Sequence, residues 1–187
     1  LLLQAAAAAV RGGRRVLYVS GEESAAQIRG RAARLTAVAE GLLLLAETRL
    51  AAILGQAEAT RPHLLILDSV QTVTAEALQS GPGTISQVRE AAAALHRAAK
   101  QTGMSVLLIG HVTKDGTLAG PKALEHLVDT VLSFEGEQTQ PYRVLRVLKH
   151  RFGSTEEMGL FEMTGAGLVE VDNPSARLLR ERPEQAP

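Results

Sequence analysis

The sequence predicts an α/β fold, a mainly parallel sheet flanked by helices with an antiparallel extension toward its carboxyl end. Three observations predict it. Arg15–Ser20, Leu42–Leu45, Leu64–Leu67 and Met104–Ile109 are short, largely apolar runs bounded by turn residues, the pattern of strands buried on both faces. Helix-length segments with apolar stripes separate them, which implies parallel crossovers. From Val131 onward the pattern changes to short strand-like runs separated by turns such as Glu135-Gly136-Glu137 and Gly165-Ala166-Gly167, the mark of antiparallel pairing.

Taken in order, Leu1-Leu2-Leu3-Gln4 and the five alanines after it read as a helix ending at Arg11-Gly12-Gly13, with glycine as the cap. No basic segment or initiator Met precedes them, so the chain reads as a fragment beginning in mid-helix rather than as a signal peptide. The Arg15–Ser20 strand runs into the turn Gly21-Glu22-Glu23-Ser24. Ser24 and Gln27 have capping-box spacing, and Ile28, Ala32 and Leu35 give the next helix its stripe. Thr48 is placed to cap a third helix carrying Leu50, Ile53 and Leu54, which Pro62 ends before the Leu64 strand. From Thr72 to Gly83 the chain is polar, with Ser80-Gly81-Pro82-Gly83 as a flexible tip. Thr84 and Gln87 predict a second capping box, on an Ala-rich helix that ends at Gly103. After the Met104 strand, Thr113 to Gly120 forms a second loop. The whole is expected to make one domain over residues 1–172, with 173–187 a charged, Pro-containing linker or tail.

Composition bounds the chemistry. A chain of 187 residues supports one well-cored domain. Its 20 basic and 20 acidic residues give no net charge, so a nucleic-acid contact has to be local. It has no Cys, which excludes a disulfide framework or thiolate zinc site within these residues and suits a reducing, cytoplasmic setting. No apolar run approaches the roughly 18 residues of a membrane span.

Three predicted strand ends bring polar groups to one rim: Glu22 and Glu23, Asp68, and His111. Ligands of open α/β sheets bind beyond the carboxyl ends of the strands. An acid there, as in Leu64-Leu65-Ile66-Leu67-Asp68-Ser69, holds the Mg²⁺ of a nucleotide through a water; it equally caps turns. A second acid to orient the attacking water and a polar group to sense the γ-phosphate complete a nucleotide hydrolase. The competing reading gives Glu22 and Glu23 to the helix dipole and leaves His111 a satisfied structural histidine. Lys149-His150-Arg151 is either a solvated turn or a phosphate-binding cluster. The two loops, with Lys114 and backbone amides, suit a nucleic-acid backbone, a weak signal by itself.

Tyr18-Val19-Ser20-Gly21-Glu22-Glu23-Ser24, Asp68-Ser69-Val70-Gln71-Thr72-Val73, Gly110-His111-Val112-Thr113-Lys114, Gly120-Pro121-Lys122-Ala123-Leu124-Glu125-His126 and Lys149-His150-Arg151-Phe152-Gly153 together resemble the RadA (Sms) family of bacterial DNA repair proteins, in register from Leu1 to about Leu179. The resemblance implies a RecA-like P-loop NTPase core. It also implies ATP and Mg²⁺ as cofactors, single-stranded and branched DNA and the RecA recombinase as partners, a hexameric DnaB-like ring, and a cytoplasmic location. By motif, Glu22 is the expected catalytic glutamate, Asp68 the Walker B acid that holds Mg²⁺ via water with Ser69 at the nucleotide, and His111 the residue that couples γ-phosphate to the second DNA loop. Lys149 and Arg151 are expected to act on a neighbouring subunit's nucleotide or on DNA, and Gly81, Gly83, Lys114 and Gly116 to line the DNA path. His150 replaces the family's usual Asn.

Nothing in the 187 residues matches G-x-x-x-x-G-K-[ST], the loop that cradles phosphates. In the resemblance that loop and a four-Cys zinc motif lie upstream of Leu1, and a Lon-like domain lies downstream. Two alternatives stand beside the ATPase reading: a non-catalytic RecA-like interaction fragment, and a DnaB- or RecA-type helicase or recombinase core.

Overall fold

The computed structural model describes residues 1–35, 40–111, 124–136 and 141–172. The chain divides into two compact units, Leu1–Val128 and Asp129–Pro187.

In the first unit, α1 (Leu2–Arg11), β1 (Val16–Ser20), α2 (Ala25–Arg34), β2 (Leu42–Ala46), α3 (Leu50–Thr60), β3 (Leu64–Asp68), α4 (Ile85–Thr102) and β4 (Ser105–Leu108) follow one another. The sheet is wholly parallel, in the order β2-β1-β3-β4. Side-chain alternation along the strands explains why their central positions are apolar on both faces. Val16, Tyr18 and Ile66 face α1 and α2, where they meet Leu3, Ala6, Ile28 and Ala32. Leu17, Val19, Leu65 and Leu67 face the other way, onto Leu50 and Ile53 of α3 and Val88, Ala91 and Leu95 of α4. Both layers exclude water, and each fully buried aliphatic side chain contributes about 1.5–3 kcal/mol.

This order also fixes where a ligand belongs. The chain leaves β1 toward β2 and leaves β3 toward β4, so the two central strands diverge at their carboxyl ends. That divergence is the topological switch point of a doubly wound sheet, outside Ser20 and Asp68, which pair in register.

Local details differ from the sequence reading at two helix starts. Ser24 and Gln27 do form the expected capping box on α2. On α3 the N-cap is Arg49, not Thr48, and neither side chain caps; Glu47 Oε1 instead accepts from the amides of Thr48 (2.9 Å) and Arg49 (3.0 Å). At α4 the N-cap is Thr84, without a side-chain cap. Gln87 turns inward, 1 % exposed, and its Oε1 accepts from Ala75 N at 2.7 Å while its Nε2 donates to Ser80 O at 2.7 Å. The Thr72–Gly83 segment, expected to be loose, is therefore tied to α4 through its middle, ahead of the Gly81–Gly83 tip.

The second unit is an antiparallel meander of β5 (Thr130–Glu135), β6 (Tyr142–His150), β7 (Met158–Thr164) and β8 (Gly167–Glu170). Tyr142, Leu160 and Val171, with Val144, form its small core. A register shift between Val131 and Leu132 marks a bulge where β5 meets the end of β6.

Candidate active site

The rim at the switch point is built by backbone first. Beyond β1, Gly21 N donates to Asp68 O at 3.0 Å, joining the ends of the two central strands. A Cβ on Gly21 would overlap the Thr72 side chain, with Thr72 Cβ only 2.6 Å away, so glycine is needed for this approach. The buried Ser20 hydroxyl accepts from Glu22 N (3.2 Å) and Glu23 N (3.0 Å), folding the turn that carries both acids. On the other strand, Val70 N donates to Ile109 O at 2.8 Å and Thr72 Oγ1 to Ser69 O at 2.8 Å. The Asp68–Ser69 peptide is cis.

The two acids of the turn diverge. Glu23 pairs with Arg31 of α2 at 2.6 Å. Glu22 turns toward β3 and β4: its Oε1 accepts from the Ser69 hydroxyl at 2.8 Å and meets His111 Nε2 at 3.1 Å. Both Glu22 and His111 stay about half exposed, so this pair is accessible to a ligand. Asp68 is held from below, its Oδ2 accepting from the Tyr18 hydroxyl at 2.7 Å. Burial, followed by that hydrogen bond and the Asp68 charge, pushes the Tyr18 phenol well above its ordinary pKa, so it is a fixed donor at any physiological pH. Gln71 Nε2 donates to His111 O at 3.2 Å, which anchors the backbone where the chain leaves β4.

A shallow cleft of about 350 Å³ opens beside these residues, over the ends of β1 and β2, with Glu22, Glu23, Glu47 and Thr48 on its walls. Glu47 is drawn down to a pKa of about 2, first by the hydrogen bond from Arg49 and then by the amides of Arg49 and Thr48. Its Oε2 meets Arg49 Nη2 at 2.8 Å.

Of the residues singled out from sequence, Glu22, Asp68, Ser69 and His111 thus come to one rim. Ser69 is fully buried and its hydroxyl points to Glu22. Gly81 and Gly83 lie in the segment leading into α4, Gly83 at φ 77°. Lys114 and Gly116 fall outside the described residues. Lys149 and Arg151 belong to the second unit, at the end of β6. There Arg151 Nη1 donates to Asp129 Oδ1 at 2.8 Å, and His150 Nδ1 lies 2.9 Å from Thr130 Oγ1 with its ring edge-on to Phe152. Tyr18, Arg31 and Gln71 were missed. The available signal was the phenol in an otherwise apolar strand, since a buried Tyr hydroxyl needs a partner.

Among the described residues no group of three or more His, Asp or Glu side chains is arranged to hold a metal ion. A single carboxylate with one oxygen engaged suits Mg²⁺, which keeps most of its waters. Among those same residues no helix is long and apolar enough to cross a membrane.

The sequence model of the AAA domain family matches residues 1–117. The chain belongs to the AAA domain family. The similarity to RadA expected from the motifs is also borne out. DNA repair protein RadA of Brucella abortus is 52% identical over 192 residues, covering 100% of this chain and 41% of the relative. The RadA of Listeria monocytogenes is 50% identical over 186 residues, again covering 100% of this chain and 41% of the relative. The RadA of Pseudomonas aeruginosa is 50% identical over 171 residues, covering 91% and 38%. The chain thus spans about two fifths of the length of these relatives. Among solved structures, a KaiC-like protein from the archaeon Pyrococcus horikoshii superposes with a TM-score of 0.66 at 18% identity, covering 90% of this chain and 80% of that one. That likeness supports the RecA-like α/β fold that the sequence predicted.

Proposed function

We propose that these residues form the acid-bearing core of a DNA-dependent ATPase of the RadA type, which processes branched recombination intermediates by ATP-driven movement on single-stranded DNA. The observation that carries this reading is the Glu22–Ser69–His111 cluster beside Asp68 at the switch point of a parallel sheet. When bound, Mg·ATP supplies an electrophilic γ-phosphoryl group and the cation that neutralises its charge. The residues present fit the metal and water side of that chemistry. Glu22 would orient the attacking water and take its proton, and Asp68 would hold the cation through a water. His111, held to Glu22 at 3.1 Å, links the acid to the segment that begins at residue 112.

Gly81, Gly83, Lys114 and Gly116 follow the single-stranded DNA backbone, and Lys149 and Arg151 act on a neighbouring subunit's nucleotide or on DNA, in a hexameric ring. The RecA recombinase is the expected protein partner and the cytoplasm the expected location. The similarity of the whole chain to RadA proteins supports these assignments.

One observation favours a second reading, a non-catalytic interaction module: the 187 residues contain no G-x-x-x-x-G-K-[ST] motif. The test is the ATPase rate against single-stranded DNA concentration for a chain that includes a phosphate loop upstream of Leu1, beside the 187-residue chain. Turnover accelerated by DNA in the longer chain alone supports the motor. No turnover in a folded longer chain supports the module.

A further inference from the structure

Asp68 and Glu22 are each held by a hydroxyl from the other central strand. The Tyr18 hydroxyl of β1 donates to Asp68 Oδ2 at 2.7 Å, and the Ser69 hydroxyl beyond β3 donates to Glu22 Oε1 at 2.8 Å. Register makes the exchange possible. Tyr18 pairs with Ile66 and Ser20 with Asp68, so Tyr18 and Asp68 share a sheet face one pleat apart, and the phenol reaches along the strand to the carboxylate. Ser69, the next residue, lies beyond β3, and its hydroxyl points to Glu22. The Tyr18 arrangement has further support from the same side, since Arg31 Nη2 lies 3.5 Å from the phenol oxygen and is itself paired with Glu23.

The geometry points to Tyr18 and Ser69 as reciprocal positioning residues: each fixes the plane of the other strand's carboxylate, so that one defined oxygen of Asp68 and one of Glu22 face the nucleotide. This rests on the ATPase reading and deepens it. The terminal torsion of Asp or Glu is broad and two-fold, so nothing in the side chain itself selects which oxygen faces a ligand. A buried hydroxyl on one oxygen makes that selection before the ligand arrives, the form of preorganisation that electrostatic catalysis uses. The plainer role for Tyr18 is packing with a satisfied hydroxyl. Packing alone asks for no polar atom at a position 1 % exposed among Val16, Leu17 and Val19.

The experiment uses a chain that includes a phosphate loop upstream of Leu1, as in the ATPase test above. Mn²⁺ affinity is read by electron paramagnetic resonance in the presence of a non-hydrolysable ATP analogue, and kcat and KM are measured separately. Tyr18→Phe keeps the ring in place, and it is expected to weaken Mn²⁺ binding roughly tenfold to a hundredfold, the scale of one lost hydrogen bond to a charged group. Metal-free nucleotide affinity stays unchanged. Ser69→Ala is expected to lower kcat severalfold with KM and Mn²⁺ affinity unchanged. If both variants merely melt earlier, with Mn²⁺ affinity and kcat as in the parent, the hydroxyls are structural and the proposal fails. If the parent binds Mn²⁺ and nucleotide but never turns over, the ATPase reading fails and takes the Ser69 role with it; the Tyr18 role is then decided by Mn²⁺ affinity alone.

Discussion

Replacing Gln87 with Ala should destabilise the parallel unit by about 3–5 kcal/mol, more than any ordinary substitution at the start of a helix. The side chain is 1 % exposed and bonds three backbone sites of the 74–80 segment: Ala75, through N at 2.7 Å and O at 3.4 Å, Leu78 O at 3.5 Å and Ser80 O at 2.7 Å. The two short bonds each contribute about 1 kcal/mol net, and the Ala75 N–H left behind costs about 1–3 kcal/mol while it stays dry. The assay is urea unfolding followed by circular dichroism at 222 nm, since the four long helices of the described residues all lie in this unit. Amide exchange at Ala75 gives a local readout, and it should accelerate well beyond the global change. Gln87→Leu, which keeps the volume and loses the donors and acceptor, should cost as much. A loss below about 0.5 kcal/mol in both variants, with Ala75 exchange unchanged, would refute the tether.

Three further outcomes follow from the rim. Gly21→Ala should destabilise by roughly 1–3 kcal/mol through overlap with Thr72, read as a lower melting temperature, and Thr72→Gly should relieve part of that loss. Glu47 contributes stability present above its ordinary pKa of 4.5 and lost as pH falls from there through about 2, because its folded-state value is depressed. Acid unfolding of Arg49→Ala should therefore show a flatter pH dependence between 2 and 4.5 than the parent. Calorimetric titration of the 187-residue chain with Mg·ATP should show binding weaker than micromolar, since phosphates lack the loop amides and Lys that usually cradle them.

Much of the parallel unit was readable because β1 and β3 are apolar until their last residues, Ser20 and Asp68, and a strand buried on both faces has few other ways to fold. Ser24 and Gln27 were readable for the same reason that capping boxes are useful: the signal and the structure are four residues of one turn. Gln87 shows where local signals stop. Its spacing from Thr84 fits a capping box, yet the amide and carbonyls of residues 75–80 needed partners more than the helix start did, and that need is set by tertiary packing. Thr48 caps nothing because α3 starts one residue later, after Arg49, and the Glu47 carboxylate takes the amides of Thr48 and Arg49 just ahead of it. In the site, Asp68, Glu22 and His111 were legible as polar residues at strand ends. The Tyr18–Asp68 and Ser69–Glu22 exchange depends on which strands are neighbours and in what register, and only the order β2-β1-β3-β4 supplies that.

The most direct test is Glu22→Gln in a chain that includes a phosphate loop upstream of Leu1, with nucleotide affinity and turnover in the presence of single-stranded DNA measured on the same preparation. Glutamine keeps the shape and an oxygen for Ser69 and loses the proton acceptor. Near-parental Mg·ATP affinity is expected, with turnover reduced at least a hundredfold, the scale of a lost general base. Turnover within a few-fold of the parent would remove Glu22 from the chemistry and leave its cluster with Ser69 and His111 a structural feature of the rim.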